Sequence, residues 1–506
     1  MKILLTGQIR DADEYTIREE PVRSVDLMER AAEGLSGAIR HDFATSSRFR
    51  IFAGCGNNGG DGIALARMLA HRGKMVSLHL LKPDRDLSPD ARINLERLPE
   101  LENLEMSILG PDDSLPGIQG EEVVIDALFG SGLTREPEGN PARIIDHINR
   151  SDCKVIAVDL PSGLFGDDNR TNSRKHVVKA TVTYSFQIPK LAFFLPENQE
   201  YVGRWSVIPI GLHPKFIENC VTPWHYTCQA DVADWLTPRS KFDHKGRFGH
   251  AILFCGSTGK MGAAILAARA AIRSGCGLLT MHIPAGGNAI IQMAVPESMT
   301  IPDPDPGHWS TVGDLSRFTA AGAGPGIGLD PQTWSALSGL LSRSASPLVL
   351  DADALNLLAA NPGSLLKVPQ NSILTPHPGE YNRLFGEDPD DLTRLNRLRE
   401  LAGTYRLVIV LKGAHTAVAG PDGSVWFNTT GNPGMAKGGS GDVLTGIITS
   451  LLARGLEPFT AARLGVYLHG LAGDLAAGEN GLEALTAGDI INHIGPAFNR
   501  SQKPSI

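Results

Sequence analysis

Gly431-Asn432-Pro433-Gly434-Met435-Ala436-Lys437-Gly438-Gly439-Ser440-Gly441-Asp442-Val443-Leu444-Thr445 is a glycine-dense loop running into an apolar, helix-like segment, Val443 to Ala453. Gly438, Gly439 and Gly441 are expected to turn the backbone through positive φ, crowding successive N–H groups around one point. That point falls at a helix N-terminus, where unpaired amides and the helix dipole favour an anion, above all a phosphate. Asp442 has the wrong sign for a phosphate ligand. A carboxylate beside an anion hole suits proton abstraction from a substrate hydroxyl that attacks phosphorus. The competing reading is a glycine-rich turn in which Asp442 only caps the helix.

At 506 residues the chain is too long for one ordinary core, so two domains are expected. Its 42% apolar and 20% charged content is that of a soluble globular protein, and a net charge of −8 argues against a nucleic-acid-binding surface. No apolar run approaches about 18 residues, which predicts no membrane span. Arg10, Asp11, Asp13 and Glu14 follow the first five residues too soon for a signal peptide. Cys55, Cys153, Cys220, Cys228, Cys255 and Cys276 contain no Cys-x-x-Cys pair. Reduced thiols in a cytoplasmic protein are expected, not a zinc site or a disulfide framework.

Residues 13 to 40 carry apolar positions at helical spacing, among them Leu27, Met28, Ala31, Leu35 and Ile39. Arg50 to Gly54 then reads as a buried strand, followed by Cys55-Gly56-Asn57-Asn58-Gly59-Gly60-Asp61-Gly62, a helix from Ile63 to His71, and a strand from Met75. This βαβ unit implies a parallel sheet. Gly54-x-Gly56-x-x-Gly59 matches the dinucleotide fingerprint, a weak signal by itself. A dehydrogenase would also want an acid ending the second strand, and Asp84, past Pro83, is poorly placed for it. Asn57, Asn58 and Asp61 set the loop apart, because oxygen donors among glycines suit a hard cation or a sugar–phosphate. Two further strand ends carry acids: Asp126, before the loop Gly130-Ser131-Gly132-Leu133-Thr134-Arg135-Glu136, and Asp159, before Ser162. Ligands of open parallel sheets bind beyond the carboxyl ends of strands, so these ends are expected to share one crevice. Any one of the acids could equally cap a turn.

These motifs, with Leu27-Met28-Glu29-Arg30-Ala31-Ala32 and Lys179 to Lys190, resemble the NAD(P)H-hydrate epimerase domain over roughly residues 10 to 212. The resemblance implies that Asn57, Asn58, Gly59, Gly60, Asp61, Gly130 to Glu136 and Asp159 hold the hydrated nicotinamide nucleotide. It also implies that Asn58, Asp126 and Ser162 surround a potassium ion, K+, and that Asp159 is the proton-transfer group. Domains of this shape also serve as non-catalytic binding modules.

Pro214, Pro223 and Pro238 punctuate a stretch of fading periodicity, which places domain 1 at residues 1-215, a linker at 216-230 and domain 2 at 231-506. Gly256-Ser257-Thr258-Gly259-Lys260-Met261-Gly262 looks like a phosphate-binding P-loop but lacks its spacing and its magnesium-binding hydroxyl. Ala263 to Arg273 is a small-residue helix able to admit a flat ligand or another helix. Later strands end in Gly324 to Gly328, Asp351 and Asp353, His377 between two prolines, and Lys412. Repeated strand–loop–helix units predict a second doubly wound α/β domain.

The ordered motifs His244-Lys245-Gly246-x-Phe248-Gly249, Gly324-Pro325-Gly326, Asp351-Ala352-Asp353, Thr375-Pro376-His377-Pro378-Gly379-Glu380, Lys412-Gly413 and Gly438 to Asp442 resemble the ribokinase-like ADP/ATP-dependent NAD(P)H-hydrate dehydratase. Gly275-Cys276-Gly277 departs mildly from the family's Gly-Ala-Gly. By that resemblance Ala263, Gly326, His377 and Asp442 contact the hydrated nucleotide. Lys412, Gly413, Ala414, His415 and Thr416, with Asn432, Pro433, Gly434, Met435, Ala436, Lys437, Gly438, Gly439, Ser440 and Gly441, hold the adenine nucleotide. The combined expectation is a homo-oligomeric, cytoplasmic bifunctional enzyme with a Rossmann-like and a ribokinase-like domain. Domain 1 epimerises NADHX and NADPHX; domain 2 dehydrates the S epimer at the expense of ADP, with Mg2+ and with Asp442 as base. The alternative is a small-alcohol or vitamin-precursor kinase carrying a non-catalytic N-terminal module.

Overall fold

The computed structural model describes residues 1–82 and 86–502, so Pro83 and Asp84 lie outside the described residues. The chain forms two compact units, Lys2–Thr222 and Pro223–Ile506.

In the first unit the strands are β1 (Arg48–Ala53), β2 (Met75–Leu81), β3 (Leu104–Leu109), β4 (Val123–Ala127), β5 (Lys154–Val158), β6 (Val182–Phe186) and β7 (Arg204–Ile208). They pair in parallel in the order β3-β2-β1-β4-β5-β6-β7. Alternate residues of one strand feed opposite faces: Ile51 and Ala53 join Ile63, Leu78 and Ile125 on one side, while Phe52 and Val124 join Ile144 and Ile148 on the other. Both faces are therefore buried, as doubly wound sheets require. The strand order reverses between β1 and β4, and the register sets Ala53 beside Ala127, so the loops leaving both strands start at one level.

Two local expectations change. The helical pattern of residues 13 to 40 is two helices, Thr6–Glu19 and Ser24–Asp42, separated where Pro21 cannot continue the first. The helix expected from Ile63 runs Asn57–His71, so the glycine motif lies inside it. The reason is packing: a Cβ on Gly59 would stand 1.9 Å from the Gly54 carbonyl oxygen, and one on Gly62 would stand 2.5 Å from Ala127 Cβ.

The second unit contains β8 (Trp224–Tyr226), β9 (His250–Phe254), β10 (Leu278–Pro284), β11 (Met299–Asp303), β12 (Ala320–Ala323), β13 (Leu348–Leu350), β14 (Ile373–Leu374), β15 (Val408–Leu411), β16 (Ala417–Ala419) and β17 (Val425–Phe427). Their order is β11-β10-β9-β12-β13-β14-β15-β16-β17-β8, parallel except where β16 runs antiparallel to β15 and β17. Residues 224–226, in the stretch expected to link the domains, are thus the edge strand β8, parallel to β17. The small-residue helix Met261–Arg273 meets another helix: Gly446, in the helix Ser440–Ala453, lies where a Cβ would stand 2.2 Å from the Ala267 carbonyl oxygen. The order reverses between β9 and β12, at the loops 255–260 and 324–328.

Candidate active sites

The first crevice lies where the order reverses in the first unit. Asp126, fully buried at the end of β4, accepts hydrogen bonds from Ser162 Oγ (2.6 Å), Ser162 N (2.7 Å) and Leu128 N (3.2 Å). Burial pushes its carboxyl pKa up to about 6 against those bonds, and each of these donors is neutral. The Asn58 side chain presses on Gly130, and its Nδ2 is buried without a hydrogen-bond partner among the described residues. Strand ends β1, β4 and β5 thus bring Asn58, Asp126, Gly130 and Ser162 together.

Asp159, just past β5, holds φ of +65°, a left-handed conformation that strains a non-glycine residue. Its Oδ1 accepts from Lys190 Nζ at 2.6 Å and from Phe186 N at 3.1 Å. Lys190 is 1% exposed and also donates to Ser185 Oγ and the Ile188 carbonyl. Asp61 is buried near the pair, and burial, then Asp159, Asp13 and Asp90, drives its carboxyl pKa well up. In the Gly130 to Glu136 loop, Glu136 accepts from Ser173 N and Oγ, both at 2.6 Å.

The second crevice is built on the helix Ser440–Ala453. Gly439, its cap, has φ of +93°, and a Cβ there would stand 2.6 Å from Leu266 Cδ1. Of Gly438, Gly439 and Gly441, only Gly439 takes positive φ. Gly441 sits inside the helix, where a Cβ would lie 3.5 Å from Lys412 Nζ and 3.7 Å from Asp351 Oδ2; its absence leaves room for approach to the ammonium. Lys412 donates to Asp351 at 2.8 Å and lies 3.7 Å from Glu380. Burial works against its charge, but Asp351 and Glu380 outweigh burial and raise its pKa. Thr445 donates to the other Asp351 oxygen at 2.6 Å. Asp442, in the first turn of the helix, has its pKa raised to about 6 by burial and then by Asp351, with Lys412 opposing. The site therefore presents backbone amides, a fixed cation and a carboxylate poised to accept a proton near neutrality.

Ala263 and Gly326 also meet: a Cβ on Gly326 would stand 3.2 Å from Ala263 Cβ. Lys260 ion-pairs with Asp353 at 3.1 Å, and Gly328 N donates to the same carboxylate. His377 is half-exposed and caps the helix Pro378–Phe385, its Nδ1 accepting from Gly379 N at 3.0 Å. In the loop before the helix Ser440–Ala453, Asp474 accepts from Gly431 N (2.9 Å) and Asn432 Nδ2 (3.0 Å), and His469 faces Ser440 Oγ at 3.3 Å. Burial takes the His469 pKa down to about 4, so the ring is neutral. Sequence reasoning does not single out Asp474 and His469; their signal is that of isolated polar residues inside the apolar run of Pro458–Asn480. Among the described residues no group of three or more His, Cys, Asp or Glu could hold a metal ion.

A family model described as NAD(P)H-hydrate dehydratase matches residues 251–496, and one described as YjeF-related protein N-terminus matches residues 24–192. The bifunctional NAD(P)H-hydrate repair enzyme of Moorella thermoacetica is 37% identical, covering 98% of this chain and 96% of that protein. The chain belongs to this family. The bifunctional NAD(P)H-hydrate repair enzyme of Escherichia coli is 32% identical, with 92% and 88% covered. A solved ribokinase-like superfamily protein from Enterococcus faecalis is 26% identical, covers 56% of this chain and 99% of its own, and superposes with a TM-score of 0.50. As a member of the NAD(P)H-hydrate repair family, the chain joins an epimerase half to a dehydratase half.

Proposed function

We propose that the first unit interconverts the R and S epimers of hydrated NADH and NADPH. The second transfers a phosphoryl group from ADP to the hydroxyl of the S epimer, and loss of phosphate restores NAD(P)H and leaves AMP. Hydroxide is a poor leaving group and phosphate a good one, which is why a dehydration uses a kinase fold. The observation that carries the reading is Asp442 in the first turn of a helix whose N-terminus also faces Lys412, held by Asp351 and Glu380. Asp442 takes the hydroxyl proton while the amides of Gly439 to Gly441 and the Lys412 ammonium stabilise charge on the transferred group. Ala263, Gly326 and His377 bound the hydrated ring; Lys412 to Thr416 and Asn432 to Gly441 hold ADP.

Magnesium commonly uses one or two carboxylates plus substrate phosphates; both Asp351 oxygens already accept, from Lys412 and Thr445, so the ion would be held chiefly by the phosphates of the nucleotide. It would neutralise phosphate charge. The all-oxygen set of Asn58, Asp126 and Ser162 fits a monovalent cation such as potassium, since Asp126 is buried against neutral donors. That ion would neutralise Asp126 and fix the substrate loop. A homo-oligomer in the cytoplasm belongs to the same proposal.

The test supplies mixed NADH-hydrate epimers with ADP or ATP and follows the return of reduced-nicotinamide absorbance. Full recovery with ADP supports both halves. A stall at the S fraction refutes the epimerase assignment. No recovery with either nucleotide refutes the dehydratase assignment and redirects the search to small alcohols.

A further inference from the structure

The hydrated ring carbon bears a hydroxyl and neighbours the ring nitrogen, so its inversion has a chemical demand that Asp159 alone does not meet. The nitrogen lone pair forms a C=N bond as the C–O bond breaks, and the hydroxyl must leave as water. Water then adds to the other face and gives up a proton. Two groups are required, a donor and an acceptor. Asp159, paired to Lys190 at 2.6 Å, is the acceptor. Lys190 is not the donor, because its three N–H bonds go to Asp159, Ser185 and Ile188.

The helix Thr6–Glu19 supplies a second acid. Thr6 donates to Asp167 from N (3.0 Å) and Oγ1 (2.7 Å), and a Cβ on Gly166 would stand 2.5 Å from its Cγ2 and 3.8 Å from Lys190 Cγ. One turn on, Ile9 packs with Ile188, and Arg10 Nη2 lies 3.8 Å from where a Cβ of Gly132 would stand. Asp13 is the next turn of this face, as the spacing of 6, 10 and 13 dictates. It is half-buried, whereas Asp61 is buried in its own helix.

We propose, on the epimerase reading given above, that Asp13 is the general acid of epimerisation, protonating the departing hydroxyl while Asp159 takes the proton of the returning water. The donor ends ionised and the acceptor protonated; a proton passing back between them resets the site, and the reverse reaction exchanges their roles. No oxidant or reductant is consumed. Asp13 suits the role in charge: burial, then Asp159 and Glu14, lift its pKa to about 7 against Lys190, and Asp61 faces the same cluster.

The experiment uses the full chain with R-enriched NADH hydrate in water enriched in oxygen-18, with S-epimer dehydration as the folding control. Wild type is expected to place heavy oxygen on the ring carbon at each inversion and to lose epimerase activity as pH rises through about 7. Asp13→Asn is expected to lower epimerase kcat roughly 10²–10⁴-fold with KM little changed, and to lose that alkaline limb. Asp13→Glu keeps an acid and is expected to recover at least a tenth of wild-type kcat with a displaced limb, which decides the matter should Asp13→Asn fold poorly. Asp13→Asn within threefold of wild type, an unmoved alkaline limb in Asp13→Glu, or inversion without heavy-oxygen uptake overturns the proposal. A wild-type chain that does not epimerise overturns the epimerase reading itself, a different result from an active chain indifferent to Asp13.

Discussion

Asp442→Asn separates function from stability because it removes the charge that both depend on. In the proposed role of base, Asp442 should contribute roughly 10²–10⁴ in rate, or about 3–5 kcal/mol of barrier. Its folded-state pKa of about 6 lies above the ordinary 3.8, so the fold favours the protonated form. That gap, at about 1.36 kcal/mol per tenfold, means that holding the carboxylate ionised costs the fold up to about 3 kcal/mol. The cost is absent below the ordinary pKa, where both states are protonated, and complete once pH exceeds the folded value. Asp442→Asn should therefore abolish dehydration while stabilising the second unit at pH 8 by roughly 1–3 kcal/mol, and by much less at pH 4. Denaturant melts followed by tryptophan fluorescence report on that unit, since Trp224, Trp235, Trp309, Trp334 and Trp426 lie in it and only Trp205 in the other. A variant that dehydrates within tenfold of wild type, or is no more stable at pH 8 than at pH 4 relative to wild type, refutes the reasoning.

Gly439→Ala, at φ of +93° and against Leu266, should cost roughly 1–3 kcal/mol and displace the amides proposed to receive the phosphoryl group, which a lower melting midpoint and lost dehydration would register. Lys190→Met strands Asp159 without its buried partner; about 3–5 kcal/mol of first-unit stability and the epimerase activity should go, with S-epimer dehydration intact. Exchange of potassium for lithium in the assay buffer should slow R-epimer consumption several-fold and leave S-epimer dehydration unchanged; equal rates in both salts would remove the ion from the account.

The sequence made the strand ends legible because chemistry there is local: a strand, a glycine, then an acid or amide. Asp126, Asp159 and Lys412, at strand ends, and Asp442, at the start of a helix, are each picked out by their immediate neighbours. The glycines misled about conformation. Gly59 and Gly441 signal a turn but are helical; a side chain on Gly59 is forbidden by the Gly54 carbonyl five residues back, whereas Lys412 and Asp351, which a side chain on Gly441 would approach, are distant in sequence. Asp13 was invisible for a related reason. An acid on an amphipathic helix reads as solvated until its neighbours in the fold are known, and here those neighbours include Asp159 and Lys190. His469 likewise became meaningful only when its helix came to lie beside Ser440.

The short strand β8 bears on how the chain is divided for study. It covers the outer side of β17, so a dehydratase fragment begun at Asp231 would lose three residues of sheet and bare a row of unpaired N–H and C=O groups. Such an edge recruits strands from other molecules. A fragment begun at Pro223 keeps β17 paired with β8 and leaves the three residues of β8 as the edge, so the solubility of the two fragments should differ according to which strand is bared.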